Sequence, residues 1–335
     1  MRAKDFVKGL VITLLLGAAS SVQAAGFALI EQSGSGMGNA FAGAAAVAED
    51  ASTIFFNPAG MAYLQGRQAV GALHLIKPSA EFENKGSVAG QFRPLGDNGP
   101  DASDLAFVPS FYFMMEINPS VKVGLGINAP FGLKTEYDDK WIGRFQADKS
   151  EVKTININPS AAFKVNDQLS LGFGVSAMRT EATLTRQVNL GAGETDVKIK
   201  GDDWGFGFNL GGIYQATTDT RIGVAYRSKV DQHLDGKAKF GTPLTAQNTG
   251  VKADVTLPET FSVSVFSTLN DKWDLLGDVT WTRWSRFKEL KIVRVNGAVL
   301  TSAPENWENT MRYSIGVNYR YSDAVKLRAG LAYDQ

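Results

Sequence analysis

The chain has 335 residues, with 34 Lys and Arg against 34 Asp and Glu, no cysteine, 35 glycines and 44% hydrophobic residues. Balanced charge gives no footing for a nucleic-acid partner, and without cysteine no disulfide framework holds the fold. Beyond residue 24 there is no unbroken apolar run of about 18 residues, which excludes a helical membrane protein.

In chain order, Arg2, Lys4 and Lys8 are followed by an apolar core, Leu10–Ala19, and by the small-x-small end Val22-Gln23-Ala24. Residues 1–24 therefore read as a secretory signal peptide, too short for an anchor, with a mature start at Ala25. Residues 25–66 come next and include SGSGMGNAFAGAAAVAEDASTIFFNPAGM (33–61), rich in small residues and without a clean period. Such a stretch is too polar for a strand and suits a plug. Phe41 and the alanines around it would make short helices, and Gly34, Gly36, Gly38 and Gly43 would let the chain fold tightly. The Gly-x-Gly pairs are no phosphate loop, because Asn39 or Phe41 stands at the third glycine and no strand precedes. Asn57-Pro58-Ala59 predicts a turn, with Pro fixing φ and Asn capping the backbone. It either anchors the plug or simply leads into the first strand.

From Arg67 the pattern alternates. Strands are expected to begin near 67, 107, 121, 151, 169, 204, 220, 251, 273, 311 and 325. Trp204, Phe206, Phe208 and Leu210 oppose Gly205, Gly207, Asn209 and Gly211; Val121, Val123, Leu125 and Ile127 oppose Lys122, Gly124, Gly126 and Asn128. One bulky apolar face and one small or polar face fit a barrel that is apolar outside. A soluble sandwich would turn the bulky face inward and rarely expose so many glycines. Arg320, Lys326 and Arg328 must then face inward, since each would cost roughly 2–4 kcal/mol in lipid. Tight turns at 118–120, 166–168, 217–219, 270–272 and 322–324 alternate with long polar stretches at 84–103, 134–149, 189–203, 241–250 and 296–309. The short side is periplasmic. Trp204, Trp273, Trp281, Trp307 and Tyr333 are expected in an aromatic girdle. Pro130, in Asn128-Ala129-Pro130-Phe131-Gly132, either bends or ends its strand. Eleven strands are an odd count, and bacterial single-chain barrels close on an even one, so at least one further strand is expected beyond Gln335.

Together these residues resemble the long-chain fatty-acid transporter (FadL) family of outer-membrane proteins, which includes aromatic-hydrocarbon uptake members. Ala25-Gly26-Phe27, the 33–52 stretch, Asn57-Pro58-Ala59, INAPFGL (127–133), WGFGFNLGGIY (204–214), YRSKV (226–230), LPETF (257–261) and WTRWSRF (281–287) carry the resemblance. It implies an all-β transmembrane antiparallel β-barrel of about 14 strands when complete, about 11 of them present. A hatch, 25–66, would sit in the lumen of a barrel, 67–335, incomplete at its C-terminus. The implied function is passive uptake of hydrophobic compounds, fatty acids or aromatic hydrocarbons, with lateral exit at a kink formed by Asn128, Pro130 and Gly132. Phe27 would lie beside the ligand, with Leu29 and Ile30 extending the apolar lining. A fatty acid would also need a cation for its carboxylate; Arg179, Arg186, Arg320 and Arg328 are the candidates. No cofactor, no metal and no nucleic acid are expected. The partners are the hydrophobic solute and outer-membrane lipid, and the protein is read as a monomer. A general porin would instead have a polar lumen narrowed by a loop. A lipid hydrolase would need Ser, His and an orienting group together; His74, near Ser79, and His233 are the only histidines.

Overall fold

In the computed structural model, residues 26–90 and 92–335 are described; the signal peptide and Ala25 lie outside the described residues. Alternating apolar and small residues produce one antiparallel sheet of 16 strands. They are β1 (Arg67–Ile76), β2 (Ala106–Asn118), β3 (Val121–Asn128), β4 (Gly132–Glu136), β5 (Lys149–Lys164), β6 (Leu169–Asn189), β7 (Glu194–Gln215) and β8 (Thr220–Arg227). There follow β9 (Val230–Phe240), β10 (Thr249–Leu257), β11 (Thr260–Thr268), β12 (Trp273–Thr282), β13 (Glu289–Arg294), β14 (Val299–Pro304), β15 (Thr310–Ser322) and β16 (Val325–Asp334). Eleven of them form the continuous path β1-β2-β3-β5-β6-β7-β8-β11-β12-β15-β16.

The path has the expected count but not the expected members. The strand expected near 251 is broken at Pro258-Glu259. β11 takes the through position against β8 and β12, while β10 turns aside to pair β9 and β13. Proline cannot donate to a ladder, and the chain changes neighbours there. The stretch 189–203, expected as a long loop, is mostly strand. β6 and β7 stay in register from Leu169↔Tyr214 to Asn189↔Glu194 and close on a short turn. Beyond the barrel wall, the far half of β7 pairs with β9 instead of β8.

Bulky residues cover the outer face: Phe206 is 71% exposed and Leu331 67%. Trp204, Trp273 and Tyr333 are exposed there as a girdle requires. Trp307 is not among them, because it turns in against Phe27.

Residues 26–66 fill the inner face. They form α1 (Gly34–Met37), α2 (Ala44–Val47), α3 (Thr53–Phe56) and a 3-10 helix, Pro58–Tyr63. Helices of four residues do not persist alone, so their shape comes from the wall. The left-handed positions are Gly26, Gly43 and Gly66 together with three non-glycines, Ala40, Phe41 and Ala48; Gly34, Gly36 and Gly38 are not among them. A non-glycine residue held there costs on the order of 1–2 kcal/mol. The sheet wraps the segment: α1 meets β1 at one edge, and Asn39 lies against Gly330 of β16 at the other.

Glycines on the wall make this seating possible. A Cβ at Gly211 would come 1.8 Å from Asn57 Oδ1, and one at Gly223 would come 2.0 Å from the Ala45 carbonyl. Gly211→Ala and Gly223→Ala should therefore each destabilise the barrel by about 1–3 kcal/mol through overpacking. At Gly71 a Cβ meets nothing within 4 Å, so Gly71→Ala is the control. Heat-modifiable gel mobility should shift to lower temperature for the first two variants alone; equal behaviour of all three would contradict the close seating.

Candidate functional site

Asn57 is the centre of the plug's attachment. It is fully buried, and its Oδ1 accepts from Ala59 N (3.0 Å), capping the 3-10 helix that Pro58 starts. Its Nδ2 donates to the carbonyls of Ala45 (2.6 Å), Gly212 (3.1 Å) and Val224 (3.4 Å). One side chain thus ties α2, the 3-10 helix, β7 and β8 together. Ala59 is itself fully buried.

Three wall arginines grip main-chain carbonyls of the same segment. Arg312 donates to Ala40 O (2.8 Å), Arg221 to Val47 O (2.9 Å) and Arg227 to Phe55 O (2.8 Å). The first two hold the chain at, or next to, its left-handed residues. Glu49 adds ion pairs to Lys326 (2.8 Å) and to Arg328. Lys326 and Arg328 therefore face inward, and so does Arg320, bound to Asp274 (2.6 Å).

The wall is split beside this plug. β3 and β4 both pair with β5, but the register moves from Asn128↔Asn156 to Gly132↔Lys153, leaving three residues opposite two. Residues 129–131 form the resulting bulge, with Pro130 at its centre. On the other side β2 pairs β3 only from Phe111 downward, so residues 106–110, Pro109 included, have β1 as their sole ladder partner. The N-terminal segment takes up the freed groups. Leu29 N donates to Pro130 O (2.8 Å) and Gly132 N to Phe27 O (2.9 Å), around an antiparallel bridge between Ala28 and Phe131. Thr154 satisfies both polar groups of Phe131. Gln32, fully buried, donates to Ala129 O (2.9 Å) and accepts at its own carbonyl from Ser110 Oγ (3.4 Å), so it spans the two lips. Sequence reasoning missed Gln32; the one signal was an amide after the apolar run 27–30.

Phe27 is held in an aromatic cage. Its ring makes edge contacts with Trp284 (4.9 Å between centroids), Trp307 (5.7 Å), Phe131 (5.9 Å) and Phe287 (5.9 Å). Gly26, at φ 65°, fits against both indoles, where a Cβ would lie 2.5–2.6 Å from ring carbons. The cage stands on an ion cluster. Glu259, of LPETF, accepts from Arg286 (2.9 Å) and Arg283 (3.1 Å), of WTRWSRF, and so fixes the turn that presents Trp284 and Phe287.

Next to the cage lies a cavity with about 1090 Å³ of empty space, counting the part open to solvent. Leu29 and Ile30 line it with Phe41, Phe56 and Pro130, while Phe131 is shared between cavity and cage. Phe27 is not in the lining. Arg179 and Arg186 are not there either: Arg179 pairs with Glu181 and Asp202 on the outer face, 40% exposed, and Arg186 lies towards the far end of β6. Two other arginines line the cavity, Arg227 and Arg312. Arg312 is paired with Asp334 (3.4 Å) and close to Asp278. Arg227 is stacked on the Phe55 ring (4.5 Å) and bound to Phe55 O and Ser176 Oγ (3.3 Å). Among the described residues no carboxylate lies within ion-pair distance of it.

The hydrolase reading does not survive this geometry. Ser79 donates to Asp101 (3.1 Å), not to His74, which is buried with neither ring nitrogen hydrogen-bonded. Hydrogen bonds from Ala80 N and then Ser103 hold the Asp101 carboxyl far below the usual range. It organises the 77–105 loop.

Residues 15–335 match the family model described as Outer membrane protein transport protein (OMPP1/FadL/TodX). The chain is 31% identical to Outer membrane protein P1 of Haemophilus influenzae over 99% of its length and 82% of that protein's. It is 28% identical to the Long-chain fatty acid transport protein of Escherichia coli O6:H1, covering 98% and 81%. Among solved structures, a Pseudomonas aeruginosa FadL homologue superposes with a TM-score of 0.81 at 27% identity, over 93% of this chain and 81% of that one. The Ralstonia pickettii toluene transporter TbuX shares the fold, with a TM-score of 0.65 at 23% identity over 85% and 82%.

Two outcomes follow from the contacts. Asn57→Ala strands the Ala59 N–H and loosens three carbonyls, at about 1–3 kcal/mol per buried unsatisfied group. Single-channel recordings should show raised ion conductance. Phe27→Ala empties the cage, at about 3–5 kcal/mol, and should move tryptophan emission to the red as water reaches Trp284 and Trp307. Unchanged emission would mean that the ring does not fill the cage.

Proposed function

We infer the route and the ligand from one premise: the chain belongs to the outer membrane protein transport protein family (OMPP1/FadL/TodX). It is an outer-membrane transporter of hydrophobic compounds in a Gram-negative bacterium. Residues 25–66 act as the plug and 67–335 as the wall. A hydrophobic solute gains nothing by remaining in water. It enters the apolar cavity beside the plug and leaves sideways through the gap between β2 and the β3–β4 bulge. Asn128, Pro130 and Gly132 shape one lip of that gap. Gln32 and the Phe27–Leu29 strand close it at rest. Release of the Phe27 cage would withdraw that strand and open the path.

The ligand is a long-chain carboxylic acid. Arg227 carries this reading: it lines an apolar cavity, is fixed by Phe55 and Ser176, and has no acidic partner among the described residues. A guanidinium with donors to spare in such a place suits a carboxylate. The acyl chain would lie along Leu29, Ile30 and Phe56. Relatives named for fatty-acid transport support the same class.

Calorimetry in detergent with oleate and with oleyl alcohol tests it. Arg227→Met should weaken oleate binding about ten- to hundredfold, as loss of a charge-assisted hydrogen bond predicts, and leave the alcohol within a few-fold. Equal losses for both ligands would reduce Arg227 to a support for Phe55. Unchanged oleate binding would remove it from the site.

A further inference from the structure

A basic basin lies on the outer face, away from the cavity. Reading outward along β7, the residues on that face are Tyr214, Leu210, Phe208, Phe206 and Trp204, then Asp202, Lys200 and Lys198. On the neighbouring strand the same face carries Asp235, Lys237 and Lys239. Register sets Lys198 opposite Lys239 and Lys200 opposite Lys237, and these four lysines line one shallow depression together with Asp202 and Asp235 at its lower edge. Like charges directly across a strand pair are destabilising.

Acidic neighbours do not cancel the arrangement. Lys200 reaches Glu181 (3.7 Å) and Lys252 reaches Asp235 (3.5 Å), but Lys198, Lys237 and Lys239 have no acidic partner among the described residues. On β5, one strand beyond β6, the outward lysines are matched instead: Lys153 pairs Glu151 (2.8 Å) and Lys149 pairs Glu136 (3.2 Å). The excess is local to the β7–β9 seam.

Its height identifies the partner. At about 3.3 Å per residue and a tilt near 40°, Lys200 and Lys198 stand roughly 10–15 Å above Trp204, the upper edge of the apolar band. A molecule seated on the lysines extends directly down onto Phe206 and Phe208, both exposed to lipid. We propose that the Lys198–Lys200–Lys237–Lys239 basin binds the phosphate groups of a phosphorylated glycolipid in the outer leaflet, whose acyl chains lie along β7. Lysine meets phosphate as a point charge without the planar fork that Arg needs. A soluble anion would use the lysines but not the apolar surface below them.

The test is retention of lipid by the full chain in detergent, read by native mass spectrometry independently of transport. The probes are bisphosphorylated lipid A, its dephosphorylated form and inorganic phosphate. Wild type should retain the bisphosphorylated lipid at least tenfold better than Lys198→Gln/Lys237→Gln/Lys239→Gln, and better than it retains the dephosphorylated lipid. The triple Lys→Arg variant should keep binding, and Lys149→Gln/Lys153→Gln should match wild type. Equal retention by wild type and the triple Gln variant would overturn the site. Displacement of the lipid by millimolar inorganic phosphate would make it a free-anion site and overturn the glycolipid assignment.

Discussion

Irregular backbone at membrane depth is tolerated only where every polar group finds a partner. Residues 26–66 are largely such backbone, and the rest of the structure is arranged to satisfy it. Helices of four residues leave most of their carbonyls open. The wall answers with long donors: Arg221, Arg227 and Arg312 each reach one carbonyl of the segment, while Asn57, from within it, reaches one more at Ala45 and two of the wall at Gly212 and Val224. These arginines also explain why Ala40 and Ala48 can sit in left-handed conformations. Two of the carbonyls held belong to Ala40 itself and to Val47, the residue before Ala48.

The same requirement governs the gap. Removing three residues of the third strand from the ladder frees donors and acceptors at the membrane wall, and the N-terminal strand supplies substitutes. Closure of the gap and placement of the plug are thus one set of hydrogen bonds. Aromatic contacts set its strength: the cage holds the end of that strand, and Glu259 holds the cage. A disturbance at Phe27 therefore reaches the lips at 129–131 through two residues of main chain.

The barrel was legible because its strands obey period 2 and its turns alternate in length. The Trp204–Leu210 face and the five tight turns needed no tertiary information. What escaped was decided by pairing between distant segments. Pro258 looks like Pro109 or Pro159 in sequence, but only at Pro258 does the through strand change. Leu29 and Ile30 line the cavity as anticipated, while Phe27, next to them, is taken by four rings from residues 131, 284, 287 and 307. The arginines were misjudged for a similar reason. Arg179 and Arg227 both stand near aromatic strand residues, and a single parity step puts one outside, paired with carboxylates, and the other inside, with none within ion-pair distance among the described residues. Among the described residues, the glycines opposite the bulky face are where sequence and structure agree most closely, although their purpose, room for another backbone, is visible only in three dimensions.

The fit between wall glycines and plug also constrains assembly. Asn57 and Ala45 lie so near Gly211 and Gly223 that segment and wall fit together only with glycine at those two positions. Strands that gather around a segment already in position reach this fit directly. That segment precedes every strand in the chain and touches strands from β1 to β16, residues separated by almost the whole chain. Each contact shortens the effective loop that the next strand must close, where a bare sheet of this connectivity would face the full entropy of long-range pairing. The plug thus serves as a mandrel on which the sheet is wound, and a lesion in it would register first as slow or failed insertion into the membrane.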